Sequence, residues 1–133
     1  MSVFAHGDRV VTELDAVRLT KLGAARWPAG LSDALDLAEQ VPSLQVPANV
    51  VTMYTQVRVL EHGAQAPKTL TVCYPDDAEP ALGFVSVLSP VGAALLGLRV
   101  GAHARWVTPQ GEARSAKIQS ILFQPEASGD YTT

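Results

Sequence analysis

The chain has 133 residues, a formal net charge of −3, and 47% hydrophobic against 17% charged residues. These numbers exclude a disordered polymer and set one domain, or one domain with a small attachment, as the expected size. The ten lysines and arginines are scattered rather than gathered in a stripe, so direct binding to DNA or RNA is disfavoured. No apolar run nears the roughly 20 residues of a membrane helix, and no membrane association is expected. The N-terminal MSVFAHGDRVV lacks a basic segment followed by an apolar core, so no secretory signal and a cytoplasmic location are expected.

In chain order, residues 12–26 read as a helix. Thr12 can cap it, Asp15 follows three residues later as in a capping box, and Leu14, Val17 and Leu22 give partial helical periodicity. The WPAG segment at 27–30 breaks the pattern. Ser32 then opens a second helix with Asp33 in its first turn, and Ala34, Leu37, Ala38 and Val41 form an apolar stripe that Pro42 ends. Two helices on a short turn make an antiparallel helical hairpin over residues 1–46.

Beyond the proline-containing linker at 42–49 the period becomes two. Val51, Met53, Val57 and Val59 alternate with Thr52, Tyr54, Gln56 and Arg58, predicting a half-buried antiparallel strand. Further strands are predicted at 69–74, 83–88, 103–107 and 113–123, with a turn at 108–111. Ile118 and Ile121 have opposite parity on the last strand, which predicts a bulge or burial on both faces. Cys73, the single cysteine, lies in the apolar run TLTVCYP and reads as a buried thiol. One cysteine makes neither an intrachain disulfide nor a cysteine-based metal site.

The segment LSPVGAALLGLRVG at 88–101 carries two glycines, Gly92 and Gly97, with four residues between them, the spacing of a phosphate-binding loop. The lysine and the serine or threonine of that loop are missing. Ser89 instead suits an N-cap, Pro90 the first helical position, Ala93 to Leu96 a helix interior, and Gly97 a left-handed stop. A two-turn helix is therefore expected, and no nucleotide cofactor.

The segments VVTMYTQVRV, SVLSPVGAALLGLRVG and QPEASGDY resemble the GreA/GreB transcript-cleavage factor family, and within it the branch of regulators of nucleoside diphosphate kinase. The resemblance spans about residues 12–131. It implies an α+β fold in which the hairpin is a short antiparallel coiled coil and residues 47–133 form an FKBP-like antiparallel sheet with one short helix. It implies RNA polymerase as partner, docked at the rim of the secondary channel, with competition against GreA and GreB. The docking residues it implies are Leu88, Ser89, Pro90 and Val91; Ser89 and Pro90 can serve as cap and contact at once.

Cleavage factors of this family carry two acids, spaced Asp-x-x-Glu, at the coiled-coil tip. Here the tip turn RWPAG has none, although Asp33 and Asp36 keep a three-residue spacing just beyond it. Both are read as favouring the positive end of the second helix. A helix of about ten residues spans only ~15 Å. The expectation is thus a docking protein that does not cleave, holds no metal and is not an enzyme. Trp27, at the tip, either meets a partner or folds back on the hairpin, while Trp106 is expected in the core. His6, His62 and His103 lack ligand spacing. The tail residues Asp130 and Tyr131 share the resemblance without an assigned role. Two other functions compete. One is an effect on nucleoside diphosphate kinase, indirect or by binding. The other is prolyl isomerisation, disfavoured because Tyr54, Tyr74, Phe84, Trp106 and Phe123 are scattered.

Overall fold

The computed structural model describes residues 9–28 and 30–129; His6, Asp130 and Tyr131 lie outside them. Strand β1, Val10–Thr12, pairs in parallel with β2, Glu39–Val41, placing Val10 opposite Glu39 and Thr12 opposite Val41. Between these strands run helix α1, Glu13–Leu22, a 3₁₀ turn at Ala24–Arg26 and helix α2, Leu31–Leu37. Thr12 caps α1 as expected: its hydroxyl accepts the Asp15 N–H at 3.0 Å. Glu13 and Asp15 sit in the first turn and Lys21 in the last, each matched to the helix dipole.

The second helix departs from expectation. Its N-cap is Gly30, left-handed at φ 89°, and Ser32 lies inside the first turn. The helix stops at Leu37, and Val41 belongs to β2. The buried side is Leu31, with Leu35 and Ala38 half-buried, while Leu37 is 41% exposed. Pro42 disfavours helical backbone only in the residue before it, so it does not set this stop; Ala38, the C-cap, is already extended at ψ 145°. The ladder with β1 then gives residues 39–41 backbone partners. The region is also no coiled coil: α1 packs on β1 and β2, and helices of ten and seven residues are too short for repeated heptads.

The remaining strands are β3 Gln56–Glu61, β4 Lys68–Cys73, β5 Phe84–Ser86, β6 His103–Val107 and β7 Ala113–Phe123. They form one curled sheet in the order β5-β4-β3-β7-β6. It is not wholly antiparallel, since β4 and β5 run in parallel. Two 3₁₀ turns, Pro75–Asp77 and Pro80–Leu82, carry the chain back in place of a hairpin. The expected bulge in β7 occurs twice, with register shifts between Gln56 and Val57 and between Arg58 and Val59 of β3.

The predicted alternation across 50–59 holds only from Gln56 onward. Val51, Thr52, Met53 and Thr55 are all buried, and Tyr54 has φ 64°. Polar contacts bend this stretch into a loop. The Thr52 N–H donates to the Thr55 hydroxyl at 2.9 Å, and the Thr52 hydroxyl donates to Glu126 Oε1 at 2.7 Å. Cys73 is buried, and that burial raises its thiol pKa. His62 and His103 are exposed. One hydrophobic cluster joins Val11 and Leu19 of the N-terminal unit to Val57, Val72, Leu95 and Ile118.

Candidate functional site

Helix α3, Pro90–Leu95, is built as its residues dictate. Ser89 is its N-cap, Pro90 occupies the first turn, and Gly97 follows the helix at φ 84°. The Ser89 hydroxyl accepts the Gly92 N–H at 3.2 Å and donates to the Ser86 carbonyl at 2.6 Å. Ser86 braces the same turn from its other side: its hydroxyl accepts the Leu88 N–H at 3.0 Å. Helix-forming amides are committed to this network, which leaves no cradle for a phosphate.

The helix lies so close over Ser86 that a Cβ on Gly92 would stand 2.0 Å from the Ser86 carbonyl oxygen. Nothing larger than glycine fits there. The other end of α3 is tied to the N-terminal strand. The Arg9 guanidinium donates to the Ala93 and Leu96 carbonyls at 3.1 and 2.6 Å. The Val10 N–H donates to the Gly97 carbonyl at 2.9 Å. The result is a rigid turn of four uncharged residues. Leu88, Ser89 and Val91 are half-buried, while Pro90 is exposed at the tip.

Pro90 shares a groove of about 390 Å³ with Gly30, Leu31 and Ala34 of the α2 region and Ala93 of α3. The structure thus brings the docking candidate to the start of α2. Asp33 and Asp36 are exposed and do not line this groove. Only Asp33 lies in the first turn of α2; Asp36 falls in the last turn, where the helix dipole opposes a negative charge. The reading of both acids as first-turn residues is corrected accordingly. Trp27 folds back: its Nε1–H donates to the Leu19 carbonyl at 3.3 Å and its ring packs on the core.

The N-terminal unit is joined to the sheet by a charge the sequence pattern did not disclose. Asp15, 1% exposed, turns inward and accepts the Met53 N–H at 3.2 Å through Oδ2. Burial pushes its pKa up to about 6; the Met53 hydrogen bond opposes that rise and the nearby Glu126 carboxylate adds to it. Ser86, Arg9 and Gly92 were also missed as site residues. For Gly92 a signal existed: a glycine inside a short alanine- and leucine-rich helix costs stability unless a close approach requires it. Among the described residues there is no group of three or more His, Cys, Asp and Glu able to hold a metal. None of the described helices is long and apolar enough to cross a membrane.

Residues 46–123 match the family model for the transcription elongation factor GreA/GreB C-terminal region. Over 128 residues the chain is 37% identical to the regulator of nucleoside diphosphate kinase of Escherichia coli (strain K12), covering 92% of this chain and 94% of that protein. It is 33% identical over 111 residues to the transcription elongation factor GreA of Chlorobium phaeobacteroides (strain BS1), covering 81% of this chain and 69% of that factor. Its fold is similar to a solved prokaryotic transcription elongation factor GreA/GreB from Nitrosomonas europaea. The TM-score is 0.72 at 33% identity, across 87% of this chain and 98% of that one.

Proposed function

The chain belongs to the GreA/GreB family, and on that premise we propose a regulator that docks on RNA polymerase at the rim of the secondary channel and competes there with GreA and GreB. Leu88, Ser89, Pro90 and Val91 make the contact. The observation that carries this reading is the Ser86–Ser89–Gly92 network, which holds Pro90 exposed on an uncharged, preorganised turn. A rigid apolar tip loses little entropy on docking. In this reading residues 47–133 are an FKBP-like docking domain, and residues 1–46 are an arm set against it. The test is displacement of labelled GreA from core polymerase by the purified chain. Full displacement is expected; no displacement at any practical concentration would reject the proposal.

The same reading makes the protein a cytoplasmic regulator without catalytic, metal or nucleic-acid-binding roles. Helix α2 has seven residues, about 10 Å of reach, which favours docking without transcript cleavage. A second reading rests on the Escherichia coli relative: the chain regulates nucleoside diphosphate kinase, indirectly or by binding. Measuring kinase activity with and without purified protein separates binding from an indirect route. Prolyl isomerisation is the least supported reading, because Trp106 is the one aromatic among the described residues lining the basin of about 650 Å³ at the outer end of the sheet. An isomerase assay on a proline peptide should show no acceleration.

A further inference from the structure

The inner face of the sheet is only partly covered. On alternate residues it carries Val57 and Val59 of β3, Leu70 and Val72 of β4, Ala116 and Ile118 of β7, and Ala104 of β6, all buried. Continuing the same parity outward, each strand reaches a different kind of residue: Glu61 on β3, Lys68 on β4, Arg114 on β7 and Trp106 on β6. Trp106 and Arg114 are direct cross-strand partners. The four residues stand across one open end of the face and line a basin of about 650 Å³. Leu82 and Gly83 wall it on one side and Thr108 on the other, with Leu70, Val85 and Val91 at its inner end.

The basin is therefore amphipathic along its length. Its inner end is aliphatic. Its outer end carries two cations and one carboxylate: Glu61 meets Arg114 at 3.1 Å and Lys68 at 3.5 Å. Arg114 also meets Glu112, 64% exposed, at 3.2 Å on the rim. The Lys68 and Arg114 side chains stay 57% and 46% exposed, so both have donors available beyond the shared carboxylate. Leu82, 67% exposed, adds apolar surface on the wall. A volume of this size suits a small organic ligand.

We propose that this basin binds an amphipathic carboxylate. Its chain or ring lies on Leu70, Leu82, Val85, Val91 and Trp106, and its head group meets Lys68 and Arg114. The carboxylate can belong to a free organic acid or to the C-terminus of a peptide ending in an aliphatic residue, since both present the same chemistry. The site shares Val91 with the docking turn but not its exposed tip, Pro90, and ligand binding does not require polymerase.

The test uses the full chain, isotopically labelled, titrated with octanoate, with neutral octanamide and with an N-acetylated tripeptide ending in leucine. Amide shifts are followed by NMR. Octanoate should shift residues around Leu70, Gly83, Val85 and Trp106 saturably and bind at least tenfold tighter than octanamide. Lys68→Ala should weaken octanoate at least fivefold while leaving octanamide unchanged. Leu82→Ser should weaken both ligands. Both side chains are exposed, so thermal unfolding of the variants should match the parent. Tighter binding of octanoate identifies a free acid as the source and tighter binding of the tripeptide a chain terminus; either supports the assignment. Equal affinity for octanoate and octanamide, or shifts scattered away from the basin, would overturn it.

Discussion

Helix α3 and the N-terminal unit are both made of short helices, yet they are specified in different ways. In α3 the cap, the first-turn proline and the terminal glycine all lie within nine residues, and each acts on its own neighbours. In the N-terminal unit the decisive interactions are distant. The β1–β2 ladder joins residues 29 positions apart, Asp15 reaches Met53, and Arg9 reaches the carbonyls of α3. Local rules therefore shape the Ser-Pro turn and its helix, while tertiary contacts shape the N-terminal unit. Changes in the two regions should differ in size and even in sign.

The largest expected effect is at Gly92. Replacing it with alanine drives a Cβ to 2.0 Å from a backbone oxygen, which cannot rotate away. Destabilisation on the order of 3 kcal/mol or more should follow, at or above the upper range for overpacking. Gly30, the cap of α2, has open space around its absent Cβ and only its φ of 89° to protect. Gly30→Ala should cost only about 1–2 kcal/mol. Urea denaturation of both variants checks the contrast; equal losses would mean that α3 can shift off Ser86.

This contrast also explains what was legible in the sequence. Ser89, Pro90 and Gly97 announce α3 because capping chemistry is local. The parity of Ile118 and Ile121 announces an irregular β7 because a period of two tolerates no slip. The bend at 51–55 was not legible: the alternating pattern persists there, and the glutamate that binds Thr52 lies 74 residues away. Nor was the parallel pairing of β1 with β2 or of β4 with β5, since three-residue strands carry too little pattern to reveal a partner. In the candidate site the turn could be read but its brace could not, because Ser86 and Arg9 act on backbone groups, the Leu88 amide and the Ala93 and Leu96 carbonyls, that any residue could provide and no pattern marks.

Asp15 tests the arm directly. Its folded pKa, about 6, lies above its ordinary 3.8, so the folded state holds the extra proton between those values. The Asp15 contribution to stability is therefore greatest below about pH 4, falls as pH rises through 6, and is then flat. The integrated loss is roughly 3 kcal/mol, at 1.36 kcal/mol per pH unit. Asp15→Asn removes the buried charge and keeps an oxygen for the Met53 N–H. It should be more stable than the parent at pH 7 by up to that amount and no more stable at pH 4. Denaturation midpoints of the pair at pH 4 to 8 decide it; parallel curves would show that the carboxylate stays ionised.

Pro90→Asp sharpens the comparison from the other side. Pro90 is exposed in the first turn of α3, where aspartate suits the helix dipole. The fold should therefore persist, with circular dichroism and melting unchanged. Against polymerase, an unpaired charge in the contact should weaken binding by ~2 kcal/mol, about 30-fold. Unchanged affinity would reduce the Ser-Pro turn to a cap.

The smallest effects are expected at Asp33 and Asp36, and there the sign carries the information. Asp33 lies in the first turn of α2, so Asp33→Asn should lose a favourable interaction of a few tenths of a kcal/mol. Asp36 lies in the last turn, where the same dipole opposes it, so Asp36→Asn should be neutral or slightly stabilising. Exposure of both residues keeps the values small. Helix position explains Asp33 but leaves Asp36 without a structural reason, which makes the functional control essential. The double variant is therefore added to a backtracked elongation complex with Mg²⁺ and no Gre factor, beside the parent. Neither should release RNA faster than the intrinsic rate, and both should displace labelled GreA equally well. Accelerated cleavage by the parent that vanishes in the double variant would give the two acids a catalytic role and turn a competitor into a cleavage factor.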